Sequence, residues 1–594
     1  MKNFFTFLFA SCLGTLLAMG ALVLIGVVSI GSIASAFDDK DVDVAANSVL
    51  MIDASVLPEL TNNIPTDPFA FDTESVPGLR TMKRAIEKAI DDDDIKGIFL
   101  DVDQLSVMPA TASSLRESVA RFRESGKFVV SHSKYYTQSS YYLASVSDGV
   151  YLNPTGGVDV RGYGATLPFF KEGLDKLGVD INVFYAGDFK SAGEPFFRNT
   201  ISDSNRLQTR EYLQDLWEIY INDVSTSRGI APAEVERLTE NFLVRNDKDA
   251  IEHKFVDALF YKDQVIDNIK ERLGLDDDDK IKTVSISKYA NTVKGKNLTS
   301  KNKIAVIYAE GNIVDGSGEP GSIGDAKYAK LIRKVRKDKK VKAIVLRVNS
   351  GGGSAMASEN IWRELQLAKE AGIPIITSMG DLAASGGYYI AMASDSIFAQ
   401  PNTITGSIGV IGIIPNVSRL MDDKLGINFD TVSTGNFSNS FTTVIPWSNS
   451  DKAIVQEGVD DIYNHFIKRV TEGRGMQEAK VRRLAKGRVY TGQDAIGHGL
   501  IDRLAGLEEA IESAARLADV DLDGARIVEY PKMKSPQEQI IAELTGQDDS
   551  KGDIKIMEPF LRRELGSAYK VYEEAKQLQS QQGIQMRMTQ TLVY

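Results

Sequence analysis

The sequence predicts an α/β protein that contains two tandem copies of one domain behind an N-terminal transmembrane helix. Three observations predict this fold class: a long N-terminal run without charge, an internal duplication, and short apolar runs of strand type that alternate with helical segments. The chain has 594 residues, enough for several domains, and its hydrophobic fraction of 43% is sufficient for globular cores.

The N-terminal run carries no charged residue between Lys2 and Asp38. It exceeds the about 20 apolar residues that cross a bilayer and the roughly 7–15 residues of a signal-peptide core. A cleaved signal peptide is the alternative, because A-S-A at 34–36 resembles a cleavage site. The lysine before the run and the acidic residues after it place the N-terminus in the cytoplasm by the positive-inside rule. We therefore expect residues 1–40 to form a cytoplasmic N-terminus and an anchor, with residues 4–32 in contact with lipid.

The composition excludes several functional classes. With a net charge of −12, the chain has little positive charge available to neutralise the phosphates of a nucleic acid, so nucleic acid is not an expected partner. The single cysteine, Cys12, lies in the N-terminal run, which excludes an internal disulfide, a cysteine nucleophile in a soluble domain and a cysteine-based zinc site. The acidic runs at 91–94 and 276–279 lack the spacing of a calcium loop and are interpreted as solvated surface.

The duplication rests on four pairs of similar segments that occur in the same order, with offsets between 245 and 248 residues. In the clearest pair, S-S-Y-Y-L-A-S-V-S-D at 139–148 matches G-G-Y-Y-I-A-M-A-S-D at 386–395. The predicted organisation is an N-terminal repeat at 46–286, a polar and basic linker at 287–302, a C-terminal repeat at 303–545 and a polar tail at 546–594.

Apolar runs between helical segments predict a mostly parallel sheet in each repeat. In the second repeat, the expected strands are 304–309, 343–348, 373–377 and 396–399, and the expected helices are 325–338, 354–370 and one that starts near Ser385. In the tail we expect some helix at 557–580, within a segment that is mobile or bound to a partner.

The two repeats divide their chemically interesting residues between them. Ser385 stands among alanines and glycines, and the equivalent position of the first repeat is Gln138. Lys190 of the first repeat corresponds to Ser438 of the second. Because neither repeat holds both a lysine and a serine of this kind, we expect one active site shared between the repeats.

Lys190 is the candidate that accepts the proton of Ser385. An ordinary lysine, with a pKa near 10.4, is charged at pH 7 and cannot act as a base. Desolvation between two domains would lower that pKa, and serine–lysine pairs are a known variant of the catalytic triad. The alternative is a surface lysine without a catalytic role. The four histidines are weaker candidates: His253 and His498 occupy equivalent positions and are expected to pack, and His132 and His465 are expected to be structural or surface residues.

The glycine loop N-S-G-G-G-S at 349–354 offers backbone N–H groups of the kind that stabilise an oxyanion. Gly386 would add the N–H group at the start of a helix. The alternatives are a tight turn or a phosphate-binding loop, although the loop lacks the P-loop pattern.

Together these residues resemble the signal peptide peptidase A family, in its long, duplicated, membrane-anchored bacterial form. The resemblance covers nearly the whole chain from the anchor to about residue 540. The motifs that carry it are R-V-N-S-G-G-G-S (347–354), D-L-A-A-S-G-G-Y-Y-I-A (381–391), T-G-S-I-G-V (405–410), G-R-V-Y-T-G-Q-D-A (487–495) and F-K-S-A-G-E-P-F (189–196).

The resemblance implies a Clp-protease-like, crotonase-related fold in each repeat and a serine protease that degrades cleaved signal peptides and other apolar peptides. It implies Ser385 as nucleophile, Lys190 as general base and Ser407 as a residue that hydrogen-bonds the lysine. The oxyanion donors would be Gly386 and either Gly352 or Gly353.

The resemblance also implies a homo-oligomer, commonly a homotetramer, and no metal or cofactor. The protein would be a single-pass protein of the bacterial inner membrane, with its catalytic domains on the periplasmic side. One departure is Gly351, where the family usually has proline; a floppier loop and slower turnover are expected from it.

Two other functions are compatible with parts of the pattern. A crotonase-like acyl-CoA enzyme would use the glycine loop without a serine nucleophile, but it does not fit an exported location, where CoA is scarce. A membrane scaffold or regulator with a decayed site does not fit the intact serine and lysine. Labelling with a serine-reactive probe distinguishes a scaffold from a protease.

Overall fold

The computed structural model describes residues 44–53, 55–60, 76–293, 297–319, 321–532 and 585–587. The predicted anchor at 4–32 and the predicted tail helix at 557–580 lie outside these residues. Within the described ranges, the structure contains no helix that is both long and apolar enough to span a bilayer.

The described ranges alternate between strands and helices, as the apolar patterning predicts. The strands are β1 (Ser48–Ile52), β2 (Ile95–Asp101), β3 (Phe128–Tyr136), β4 (Gly149–Val158), β5 (Asp180–Ala186), β6 (Ala258–Leu259), β7 (Lys282–Ser285), β8 (Lys303–Glu310), β9 (Asn312–Val314), β10 (Ser322–Gly324), β11 (Val341–Ser350), β12 (Gly352–Ser354), β13 (Ile375–Ala384), β14 (Ser396–Ala399), β15 (Ile404–Gly406), β16 (Val410–Asn416), β17 (Val489–Thr491), β18 (Arg503–Leu504), β19 (Arg526–Tyr530) and β20 (Gln585–Arg587).

The helices pack mainly around these sheets. They are α1 (Leu79–Asp91), α2 (Pro109–Glu124), α3 (Gln138–Ala144), α4 (Lys171–Leu177), α5 (Glu194–Phe197), α6 (Asp203–Arg228), α7 (Pro232–Glu240), α8 (Asp247–Glu252), α9 (Lys262–Leu273), α10 (Ile286–Ala290), α11 (Asp325–Lys337), α12 (Ala355–Glu370), α13 (Gly386–Ala391), α14 (Asn449–Arg474), α15 (Glu478–Leu484), α16 (Gly492–His498) and α17 (Leu507–Leu517). Short 3-10 and π turns lie at Ser191–Gly193 and Leu420–Lys424.

Each repeat contains a largely parallel sheet, and the two sheets have the same strand order. In the first sheet, the order β7-β1-β2-β3-β4-β6 is parallel throughout. In the second, β19-β8-β11-β13-β14-β18 follows the same plan, again with parallel pairs. The interior of central strands such as β8, at 304–309, is apolar and buried, as expected when helices cover both faces of a parallel sheet. The shared order agrees with the duplication found in the sequence.

A third, mixed sheet joins the two repeats, in the order β10-β9-β12-β20-β16-β5. Its β5 comes from the first repeat and pairs antiparallel with β16 of the second, from Ala186 opposite Val410 to Asp180 opposite Asn416. This ladder carries the chain that precedes Lys190 onto the second repeat.

Buried polar contacts also join the repeats. Asp381 accepts hydrogen bonds from the N–H and the hydroxyl of Thr111, near the start of α2. Arg347 forms a buried ion pair with Glu59, with 2.8 Å between Nη2 and Oε1. Because unpaired buried charges are costly, these pairs favour one relative placement of the segments that carry them.

Two elements differ from the sequence expectation. The strand expected at 373–377 begins two residues later, at Ile375, and continues as β13 to Ala384, because the small residues that follow the expected segment are also buried between neighbouring strands. The segment expected as a linker at 287–302 begins with helix α10. The Ser285 side chain caps this helix by accepting from Lys288 N, and Ile286 and Tyr289 are buried.

Candidate active site

Lys190 and Ser385 meet between the two repeats of one chain. Strand β5 ends at Ala186, and the chain then turns so that Lys190 Nζ lies 2.7 Å from Ser385 Oγ. Both residues are buried; 6% of Lys190 and none of Ser385 is exposed. This distance is within the range in which a base can take a proton from a hydroxyl.

Ser385 occupies a sharp turn between β13 and α13. Its backbone has φ 56° and ψ −117°, a conformation that L-residues rarely adopt and that is typical of functional sites. The turn is held from both sides, because Ser385 N donates to Gly406 O at 2.8 Å and Tyr389 N donates to Ser385 O at 2.9 Å. The strand-to-helix turn thus fixes the hydroxyl beside the lysine.

Ser407 supplies the other polar contacts of the amine. Lys190 Nζ donates to Ser407 Oγ at 3.0 Å and to Ser407 O at 3.1 Å. Ser407 itself has φ 50°, and its N–H donates to Arg488 O at 2.7 Å. With two acceptors on Ser407, the amine can direct its lone pair, when neutral, towards Ser385.

Burial lowers the pKa of Lys190 to about 7. The cause is desolvation, which disfavours the charged ammonium, and the surrounding polar groups are uncharged serines. About half of the amines are therefore neutral at pH 7, as a general base requires.

The glycine loop lies beside the serine. A Cβ atom on Gly386 would be 3.1 Å from Gly352 Cα and 3.2 Å from Gly353 N. Gly353 has φ 155°, and a Cβ atom there would lie 1.9 Å from Ile313 O, so a side chain has no room. The N–H of Gly352 donates to Ser350 Oγ at 3.1 Å, so this N–H group is already engaged in a hydrogen bond within the loop.

The sequence analysis did not single out the individual residues that hold the lysine loop. Gly487 has φ 80°, and a Cβ atom there would lie 2.6 Å from Lys190 Cβ. Phe189 N donates to Lys486 O at 2.8 Å, so segment 486–488 packs along the lysine loop and also holds Ser407 through Arg488. The motif G-R-V-Y-T-G at 487–492 is the sequence signal that contains these residues.

Gln208 of α6 is a second residue without a prior signal. It is buried; its Nε2 donates to Phe189 O at 3.0 Å and to Ser191 Oγ at 3.2 Å, and its Oε1 accepts from Val489 N at 3.3 Å. The Gln208 amide thus links both chain neighbours of Lys190 to strand β17. Strand β17 pairs with β15, and β15 ends one residue before Ser407.

Two of the histidines contact residues outside the lysine–serine pair. His132 Nε2 lies 3.2 Å from Phe260 O, and the His498 ring packs edge-on against Tyr490 at 4.9 Å.

Comparison with known proteins agrees with the duplication. The profile described as Peptidase family S49 matches the chain twice, at residues 121–276 and 367–521. The chain belongs to peptidase family S49. The two matches, one in each repeat, confirm the duplication, and the membership confirms the resemblance to the signal peptide peptidase A family.

Relatives of this S49 protein include proteins that are named as proteases, one of them as a serine protease. Protease 4 of Haemophilus influenzae is 34% identical over 451 residues, which cover 74% of this chain and 73% of that protein. The chloroplastic serine protease SPPA of Arabidopsis thaliana is 33% identical over 443 residues, or 73% of this chain and 65% of that protein. The chain is accordingly a serine protease of family S49.

Among solved structures, a ClpP1 mutant from Listeria monocytogenes matches with a TM-score of 0.24 and 12% identity, covering 35% of this chain and 94% of that one. The α/β class rests on the strands and helices described above, and the finer Clp-like assignment stays a prediction.

Proposed function

We propose that the protein is a membrane-anchored serine endopeptidase that uses a Ser385–Lys190 dyad to degrade cleaved signal peptides and similar apolar peptides. The observation that carries the proposal is the contact of 2.7 Å between a buried lysine amine and a serine hydroxyl held in a strained turn. A histidine is not needed, because burial lowers the pKa of the Lys190 amine to about 7, so that about half of the amines are neutral at pH 7 and can accept a proton.

In the first step, the neutral Lys190 amine takes the proton of Ser385, and Oγ attacks the carbonyl carbon of the scissile peptide bond. The carbonyl oxygen becomes an oxyanion, and the C–N bond then breaks while Lys190 returns the proton to the leaving amine. The product of this half-reaction is an ester between Ser385 and the acyl half of the peptide. A water molecule, deprotonated by Lys190, hydrolyses that ester and restores the serine.

Gly386 and Gly353 are the proposed oxyanion donors. Gly386 N–H opens helix α13 directly after the nucleophile, where the helix dipole adds positive potential. The N–H of Gly352 is already engaged by Ser350 Oγ, so we favour Gly353 as the second donor. Ser407 is proposed to orient the amine through the two contacts described above.

The membrane anchor, the extracytoplasmic location and the homotetramer are part of the same proposal. The uncharged run at 4–32 supports the anchor. Exposed apolar side chains at 425–432, including Val432, which is 96% exposed, support a contact with a second copy. The resemblance supports four copies as the assembly.

A serine-reactive fluorophosphonate probe, combined with cleavage of a synthetic signal peptide in detergent, tests the dyad. We expect labelling and cleavage with the wild-type protein, and neither with Ser385→Ala. Lys190→Met is expected to lose both, while Lys176→Met, which changes an exposed lysine before β5, keeps them. Labelling that survives Ser385→Ala, or activity that survives Lys190→Met, would contradict the proposed mechanism.

A further inference from the structure

A strand from the C-terminal tail lies in the middle of the third sheet. β20 is antiparallel to both of its neighbours, β12 and β16. Its register places Arg587 opposite Gly352, Met586 opposite Gly353, and Gln585 opposite Ser354 on one side and Ile411 on the other.

Without β20, the sheet would have an open slot. Neighbouring strands lie about 4.7–4.9 Å apart, so β12 and β16 would be separated by about 10 Å and would present facing edges of unpaired backbone groups. Such a slot accepts one extended peptide, which pairs through its main chain and therefore tolerates many sequences.

The slot belongs to the proposed active site. One wall is β12, whose Gly352 and Gly353 lie beside Gly386, directly after the nucleophile. The other wall is β16, whose partner strand β5 leads to Lys190. An extended peptide between these walls passes the dyad with its main chain against the proposed oxyanion donors.

We propose that β20 is an intramolecular competitor: this strand occupies the groove in which a peptide substrate binds, and substrate must displace it. This inference rests on the proposed function of the groove. Because the competitor is part of the same chain, it acts at an effective concentration that can reach about millimolar values. Only the fraction of molecules with an open groove binds substrate, so the tail raises the apparent KM and leaves kcat unchanged.

A proline in β20 tests this competition in the full-length chain. Met586→Pro removes a backbone N–H from a strand that has neighbours on both sides, a place where proline is not tolerated. We expect the KM for a fluorogenic apolar peptide to fall at least about fivefold with kcat unchanged, because the open fraction of grooves rises. Thr591→Pro, outside the described strand, is the matched control and should leave KM at the wild-type value.

A binding measurement separates this inference from the proposed catalysis. The probe is a fluorescein-labelled peptide of residues 580–594, and its anisotropy is followed in proteins that carry Ser385→Ala and cannot turn over. We expect at least about tenfold tighter binding when Met586→Pro is also present, since the tethered strand no longer competes. The same peptide with proline at position 586 should not bind.

Two results would overturn the proposed competition. One is equal affinity of the labelled peptide for the two Ser385→Ala proteins. The other is an unchanged KM for Met586→Pro in an otherwise active protein. Loss of the proposed catalysis would appear differently, as a wild-type protein that the fluorophosphonate probe does not label.

Discussion

Because Lys190 is buried, we predict that activity rises with pH as its amine loses a proton. A negative charge placed beside the amine should shift this rise to higher pH. If the pKa of Lys190 is about 7, about one half of the amines are neutral at pH 7 and about one tenth at pH 6. A lysine with the ordinary pKa of 10.5 would be neutral in only about 0.0003 of molecules at pH 7. Burial thus accounts for a factor of about 1,500 in the population of active base.

The direction of this rise follows from the charge. Protonation removes the lone pair, so kcat/KM falls about tenfold per pH unit below the pKa of Lys190 and reaches a plateau about one unit above it. Ser407→Asp places a carboxylate near Nζ, in place of a hydroxyl oxygen at 3.0 Å, and an adjacent opposite charge raises a lysine pKa by about 1–3 units. Aspartate tolerates the left-handed backbone of position 407 better than most residues.

The assay is kcat/KM for a fluorogenic apolar peptide without ionisable side chains, measured from about pH 5.5 to about pH 10 at constant ionic strength. We expect the inflection near 7 in the wild-type protein and about 1–3 units higher in Ser407→Asp. Ser407→Asn is the matched control, since it has the size of aspartate without the charge and should keep the inflection near 7. A wild-type profile that still rises at pH 10, or equal inflections in the Asp and Asn variants, would refute a neutral buried lysine as the base.

Three further predictions concern residues that position the dyad or join the chain segments around it. Gly487→Ala should lower kcat at least about tenfold with the fold intact, because its Cβ would lie 2.6 Å from the Cβ of the dyad lysine. Gln208→Leu should lower kcat more than it changes KM and broaden the pH profile, because the loop that holds the amine loses its buried hydrogen bonds. Glu59→Gln should destabilise the protein by about 3–5 kcal/mol in urea denaturation, because it leaves the buried Arg347 charge without its carboxylate partner.

Each of these predictions has a matched control. Gly475→Ala has a similar positive φ of 60° but open space around its Cβ, so it should cost stability without costing activity. Gln214→Leu changes an exposed glutamine on the same helix as Gln208 and should leave the pH profile unaltered. Glu370→Gln breaks an exposed ion pair and should change the free energy of unfolding by less than about 1 kcal/mol. If a variant and its control show the same change in activity, pH profile or stability, the contacts described for the changed residue do not explain that change.

Much of the second sheet could be predicted because its strands are short apolar runs between helices, and this signal is local. The strand at Ser396–Ala399 was expected with the observed bounds, and 304–309 differs by one residue at each end. Strand β13 was expected to be shorter, since S-M-G-D-L-A-A has no alternation or apolar run that marks it as strand. Its extended form comes from neighbouring strands on both sides, which periodicity does not encode.

The residues of the candidate site differ in how well the sequence alone could predict their roles. Lys190 and Ser385 stand out because each is missing from the other repeat, and the structure places them in contact. Ser407 was found through the resemblance alone. Gln208 is one polar residue on an amphipathic helix, and only the folded chain shows that it is buried against the lysine loop.

The division of the dyad between repeats makes the base depend on the assembly of the fold. Lys190 follows a strand of the first repeat, but its amine is enclosed by Ser385 and Ser407 of the second, and the β5–β16 ladder brings them together. If the repeats separated, the amine would regain water and with it a pKa near 10.5, which removes almost all of the neutral form at pH 7. A chain whose repeats have not yet docked would therefore hold the two halves of the site apart and keep Lys190 protonated, so proteolytic activity is expected to arise only with the completed fold.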